Sequence, residues 1–132
     1  MAQYLFTYGT LRMNADHPMA GKLAENAKLV GLGYMRNARL YRVDWYPALV
    51  HSSHVDDVVI GDVLALEHPD FLKELDEYEN IGVGQPPFEY RRELVEVILE
   101  HSGKKINCWV YFYNWSLPQN AEWLESGDFL NP

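Results

Sequence analysis

The chain has 132 residues, of which 48% are hydrophobic and 23% charged, a mix that supports one globular domain over residues 1–132 and argues against disorder. Its 19 acidic and 11 basic residues give a net charge of −8, and no basic run occurs anywhere, which argues against nucleic acid and anionic membrane surfaces as partners. No apolar run approaches the roughly 20 residues of a membrane helix, no basic start precedes a long apolar stretch, and the lone Cys108 cannot form an internal disulfide. The expectation is a soluble, cytoplasmic, monomeric protein.

Residues 3 to 8 are apolar and aromatic and read as a strand. It runs into Tyr8-Gly-Thr-Leu-Arg12, where two readings compete: an ordinary turn, or a backbone cradle for a ligand. Asp16 suits an N-cap and Pro18 a first helical turn, which predicts a short helix from His17 to about Asn26. Residues 28–32, 36–43 and 48–51 are strand-like, punctuated by Gly31, Gly33, Pro47 and Ser52-Ser53. Residues 58–67 form another strand. In 68–79 the pattern changes: Phe71, Leu72, Leu75 and Tyr78 fall on one helical face. Gly82, Gly84, Pro86 and Pro87 then make a loop, and residues 90–100 and 105–115 are two long strands joined by a hairpin at 101–104.

In Asn107-Cys-Trp-Val-Tyr-Phe-Tyr113 both alternating sets are apolar, so that strand is expected to be covered on both faces. Six or so strands, two-sided burial and two short helices predict an α+β fold: a small mixed, mostly antiparallel barrel with the 68–79 helix on its rim. An open sandwich is the competing architecture.

Several segments together resemble the gamma-glutamylcyclotransferase-like family, in family order. They are Tyr8-Gly-Thr-Leu-Arg12, Arg39 to Val50 ending in Tyr-Pro-Ala-Leu-Val, Val59-Ile-Gly-Asp-Val-Leu-Ala-Leu66, Leu75-Asp-Glu-Tyr-Glu79, Tyr90-Arg-Arg92, Cys108 to Tyr113 and Ser126-Gly-Asp-Phe129. The resemblance implies a small β-barrel whose pocket is formed by the Tyr-Gly-Thr-Leu loop, with Glu79 as the catalytic residue at a helix end. It implies substrate contacts from Tyr8, Gly9, Thr10, Leu11 and Arg12, and Tyr90 and Tyr113 are further candidates for the pocket wall. Where many members carry Gly after this Glu, the chain has Asn80, which tolerates the same left-handed backbone.

The implied reaction is an intramolecular aminolysis of a small gamma-glutamyl amine or peptide, giving 5-oxoproline and a free amine. One carboxylate in an apolar pocket, its pKa raised toward neutrality, suffices to carry the proton from the attacking to the leaving nitrogen. Amides around Gly9 to Leu11 would face the substrate carboxylate or the developing oxyanion. No cofactor is required, neither metal nor nucleotide. The competing class is a non-catalytic binding protein that uses the same pocket.

Other constellations receive blander readings. Asp76 and Glu79 share a helix face, but a paired-carboxylate hydrolase usually spans a cleft. His51, His54, Asp56 and Asp57 lack a third ligand at metal spacing and read as a polar loop. Cys108 reads as a buried, inert thiol. Ser52-Ser53 lacks the strand–turn–helix setting of a nucleophilic serine.

Overall fold

The structure is a computed structural model and describes residues 3–9, 18–43, 46–79 and 86–131. In chain order the elements are β1 (Gln3–Thr7), α1 (Pro18–Asn26), β2 (Ala27–Arg36), β3 (Ala38–Val43), β4 (Tyr46–His51), β5 (Val58–Leu66), α2 (Phe71–Tyr78), β6 (Tyr90–Leu99), β7 (Lys105–Tyr113) and β8 (Glu122–Trp123). Five strands close a barrel in the order β1-β5-β2-β6-β7, and β4-β3-β8 form a separate three-stranded sheet.

The barrel is mostly antiparallel, as expected. β1 pairs with β5 from Gln3↔Leu66 to Thr7↔Asp62, and β6 pairs with β7 from Tyr90↔Tyr113 to Ile98↔Lys105. Closure comes from a parallel contact between β1 and β7 at Leu5↔Trp109, which makes the barrel mixed.

One expectation needs adjustment. The barrel holds five strands, close to the six or so expected, because β3 and β4 leave it after Asn37. Asn37 separates β2 from β3 with a φ of 57°, a left-handed conformation that Asn tolerates better than most residues. The chain turns there, and β3 pairs with β4 instead of extending the barrel. The α2 helix also starts later than the apolar pattern suggested. Residues His68 and Pro69 form a turn whose carbonyls accept from the amides of Phe71 and Leu72 at 2.9 and 3.1 Å.

Two-sided burial of the barrel strands holds. On one side of β1 and β7, Phe6, Cys108, Val110 and Phe112 pack with Val63 and Val97. On the other side, Leu5, Tyr111 and Tyr113 pack with Leu23 of α1 and with Phe71 and Leu75 of α2. The second cluster fixes α2 against the barrel wall and so places the helix end.

Candidate active site

Leu75 of α2 is fully buried, and one turn later the chain reaches Glu79, the C-terminal cap of the helix. The Glu79 amide donates to the Leu75 carbonyl at 2.9 Å, so the backbone of the cap is fastened to the buried turn. Glu79 is partly buried at the helix end. Burial pushes the carboxyl pKa up to about 8, and the nearby acids Glu89 and Asp76 push the same way. The negative end of the helix dipole likewise disfavours an ionised carboxylate there.

Three buried phenols lie within reach of the charge of this carboxyl. Tyr8, directly after β1, is buried and donates its hydroxyl to the Tyr111 carbonyl. Tyr90 opens β6 and donates to the Pro47 carbonyl at 2.6 Å. Tyr111 of β7 donates to Asp76 Oδ1 at 2.7 Å. All three are held well above the usual tyrosine range, first by burial, and Glu79 raises each further by its charge. They are therefore neutral hydroxyls, and each has placed its one proton on a protein acceptor. Tyr113 stands one step back, meeting the Tyr90 ring edge-on with centroids 5.6 Å apart.

Gly9 has a packing role in addition to any ligand contact. A Cβ built at this position would lie 2.3 Å from Pro47 Cγ. Pro47 is thus pressed against Gly9 on one side and held by the Tyr90 hydroxyl on the other. Next to it, Tyr46 donates to Glu89 Oε2 at 2.6 Å. The Tyr-Pro segment of β4 is the strut between the start of β6 and the turn after β1.

Of the residues expected at the site, the structure brings Tyr8, Tyr90 and Glu79 into one electrostatic neighbourhood, with Gly9 beside Pro47. Thr10, Leu11 and Arg12 lie outside the described residues, as do Asn80 and positions 81–85. Tyr111, Pro47 and Glu89 were missed. Tyr111 had a signal in its spacing, since it lies two residues from Tyr113 and hence on the same strand face; Pro47 and Glu89 had none beyond the Tyr-Pro motif and the neighbouring Tyr90.

The other candidates have structural partners. Asp57 accepts from Arg39 Nε at 2.6 Å and from Ser52 Oγ at 2.5 Å, which together hold its carboxyl below the usual range. His51 stacks on Phe112 with centroids 4.2 Å apart and reaches Glu93 at 3.5 Å. Cys108 is buried, and burial pushes its thiol up to about 12, which disfavours the nucleophilic thiolate. No group of three His, Cys, Asp or Glu suited to a metal occurs among the described residues, and none of their helices is long and apolar enough to cross a membrane.

A small mixed barrel with a partly buried glutamate at a helix end defines the class. The family described as "Gamma-glutamyl cyclotransferase, AIG2-like" matches residues 5–131, and the chain belongs to that family. It is 33% identical over 129 residues to a Methanocaldococcus jannaschii protein named "Putative gamma-glutamylcyclotransferase MJ1514", covering 96% of this chain and 95% of the relative. Its fold matches the crystal structure of an AIG2-like protein of Mus musculus with a TM-score of 0.72, at 21% identity, over 99% of this chain and 96% of the other. It also matches the solution structure of the Escherichia coli protein ytfP with a TM-score of 0.67, at 27% identity, over 98% and 97% of the two chains.

Proposed function

We propose that the chain is a cyclotransferase that releases 5-oxoproline from a gamma-glutamyl amine or peptide, with Glu79 as general acid and base. In this reaction the substrate's α-amine attacks its own side-chain carbonyl. A new C–N bond closes the five-membered ring, and the original amide C–N bond breaks. One proton must travel from the attacking ammonium to the departing nitrogen. Glu79 takes it from the first and gives it to the second.

The observation that carries this reading is the Glu79 carboxyl at the C-terminal cap of α2, in electrostatic reach of buried Tyr8, Tyr90 and Tyr111, where burial raises its pKa to about 8. A proton carrier works best when its pKa lies near the working pH, because it then exchanges its proton in either direction at small cost. The hydrogen bonds support a division of labour. Tyr8, Tyr90 and Tyr111 have spent their protons on protein acceptors, so we assign stabilisation of the oxyanion to backbone amides of the Tyr-Gly-Thr-Leu motif and substrate contacts to Thr10, Leu11 and Arg12 on the family resemblance alone, while Tyr113 backs the Tyr90 ring.

The test is a panel of gamma-glutamyl amines and peptides assayed for 5-oxoproline, with substrate binding measured in parallel by calorimetry. Turnover of at least one compound, lost in Glu79→Gln while binding persists, is the expected result. Binding without turnover in both proteins would identify a non-catalytic pocket instead.

A further inference from the structure

The Tyr90-Arg-Arg92 motif enters this chemistry through Tyr90, and Arg92 is left over. Its side chain is three-quarters buried, with the guanidinium carbon 4.7 Å from the centre of the Trp109 ring. Arg92 Nη1 lies 3.3 Å from Asp76 Oδ1, the same oxygen that accepts the Tyr111 hydroxyl. That Nη1 is buried without an aligned hydrogen bond, so its link to Asp76 is a contact of charges. Asp76 stands three residues before Glu79, a spacing that puts both on one side of α2. A cation from β6 and a phenol from β7 therefore converge on the acid one turn before the proposed proton carrier.

We propose that Asp76 is a positioning residue for Glu79: Arg92 of β6 and Tyr111 of β7 hold its carboxylate one turn back, on the same side of α2 as Glu79. From there its charge opposes ionisation of the Glu79 carboxyl, after burial and Glu89. The inference rests on Glu79 being the acid–base group proposed above. Among the described residues, the titratable groups acting on Glu79 are Tyr8 after β1, Glu89 and Tyr90 at the start of β6, Tyr111 of β7 and Asp76 of α2 itself. Of the two acids, Glu89 is tied to the Tyr46 hydroxyl and Asp76 to Arg92. Among the described residues, Asp76 is the one of the two that is paired with a cation. Removing the acid and removing its cation should therefore move Glu79 in opposite directions, which a purely mechanical fastening of α2 would not do.

The experiment is a carbon-detected NMR titration of the glutamate carboxyls in the full chain, for wild type, Asp76→Asn, Arg92→Met and Arg92→Lys. Asp76→Asn keeps an acceptor for the Tyr111 hydroxyl but loses the charge, and the Glu79 midpoint should fall by on the order of 1 pH unit. Arg92→Met leaves the Asp76 charge uncompensated, and the midpoint should rise by a similar amount. Arg92→Lys keeps the charge and should titrate like wild type. A fall in both Asp76→Asn and Arg92→Met would mean that the pair only fastens the helix, and no change in Asp76→Asn would equally overturn the proposal. If Arg92→Met does not fold, a fall in Asp76→Asn against a wild-type midpoint in Asp76→Glu, which restores the charge, makes the same distinction. The pH profile of 5-oxoproline release should follow each midpoint. Titrations that behave as expected without turnover in any variant would refute the enzyme reading and leave only the coupling of Asp76 to Glu79 standing.

Discussion

Replacing Gly9 with Ala tests why the turn after β1 carries glycine. The added Cβ would start 2.3 Å from Pro47 Cγ, 3.2 Å from its Cβ and 3.3 Å from its Cδ. Ordinary carbon contacts lie near 3.5 to 4.0 Å, so more than an ångström must open between Gly9 and the ring. A proline ring is tied to the backbone and can change only its pucker, which shifts Cγ and leaves the 3.2 and 3.3 Å contacts of Cβ and Cδ in place. Moving it pulls on the Pro47 carbonyl, which the Tyr90 hydroxyl holds at 2.6 Å. Overpacking of this kind costs about 1–3 kcal/mol. For a chain of this length each kcal/mol lowers Tm by roughly 3–5 °C, so Gly9→Ala should melt roughly 3–15 °C below wild type. Calorimetry or circular dichroism measures it directly. Turnover should fall as well, since the displaced strut carries the Tyr90 hydroxyl beside Glu79. A Gly9→Ala protein with wild-type Tm would show that Pro47 yields freely and that the clash does not account for the glycine.

Glu79→Gln should lower turnover by about 10²–10⁴-fold while gamma-glutamyl binding stays measurable by calorimetry. The same substitution has a signed effect on stability: a carboxyl raised to about 8 keeps its proton in the folded state where the unfolded chain has released it. Wild type should therefore lose stability relative to Glu79→Gln as pH rises from about 4.5 to 8, by at most roughly 5 kcal/mol, as urea melts at three pH values would show; parallel curves would contradict a carboxyl raised by burial. Tyr90→Phe leaves the Pro47 carbonyl without its donor and should cost about 1–3 kcal/mol in urea unfolding. Gly127 has a φ of +70° and a Cβ there would sit 2.0 Å from the Val58 carbonyl oxygen, so Gly127→Ala should cost more than about 1 kcal/mol, measured by the same melts.

Much of the fold could be read from side-chain periodicity alone. The β6–β7 hairpin and β5 announce themselves by long apolar alternation, and the doubly apolar 107–113 segment pointed to a strand covered on both faces. The departure of β3 and β4 could not be read, because it turns on the left-handed backbone of one residue, Asn37, that alternation does not encode. β8 is two residues long, held by the pairs Tyr41↔Trp123 and Arg42↔Glu122, too short to leave a pattern. At the site, Glu79 was accessible because helix spacing and an ordered motif converge on it. Tyr111 and Pro47 were not, because their roles depend on register and on how the small sheet meets the barrel. The alternation of apolar residues gives Tyr111 and Tyr113 the same face, and nothing in it marks Tyr111 as the one that donates to Asp76.

The parallel seam between β1 and β7 ties assembly of the pocket to the last large step of folding. Tyr8 and the Tyr111 carbonyl that it meets are 103 residues apart in sequence. Contacts of such long range form late, because the entropy of closing the intervening chain is lost before they give anything back. On a ribosome the Tyr8 turn and α2 would emerge well before their partner strand. The nascent chain would then display the inner faces of β1 and β5, with Phe6 and Val63, as unsatisfied apolar surface until Val110 and Phe112 of β7 arrive. In refolding, barrel closure and the gain of ligand binding should share one rate constant, and an intermediate open at this seam should bind no substrate.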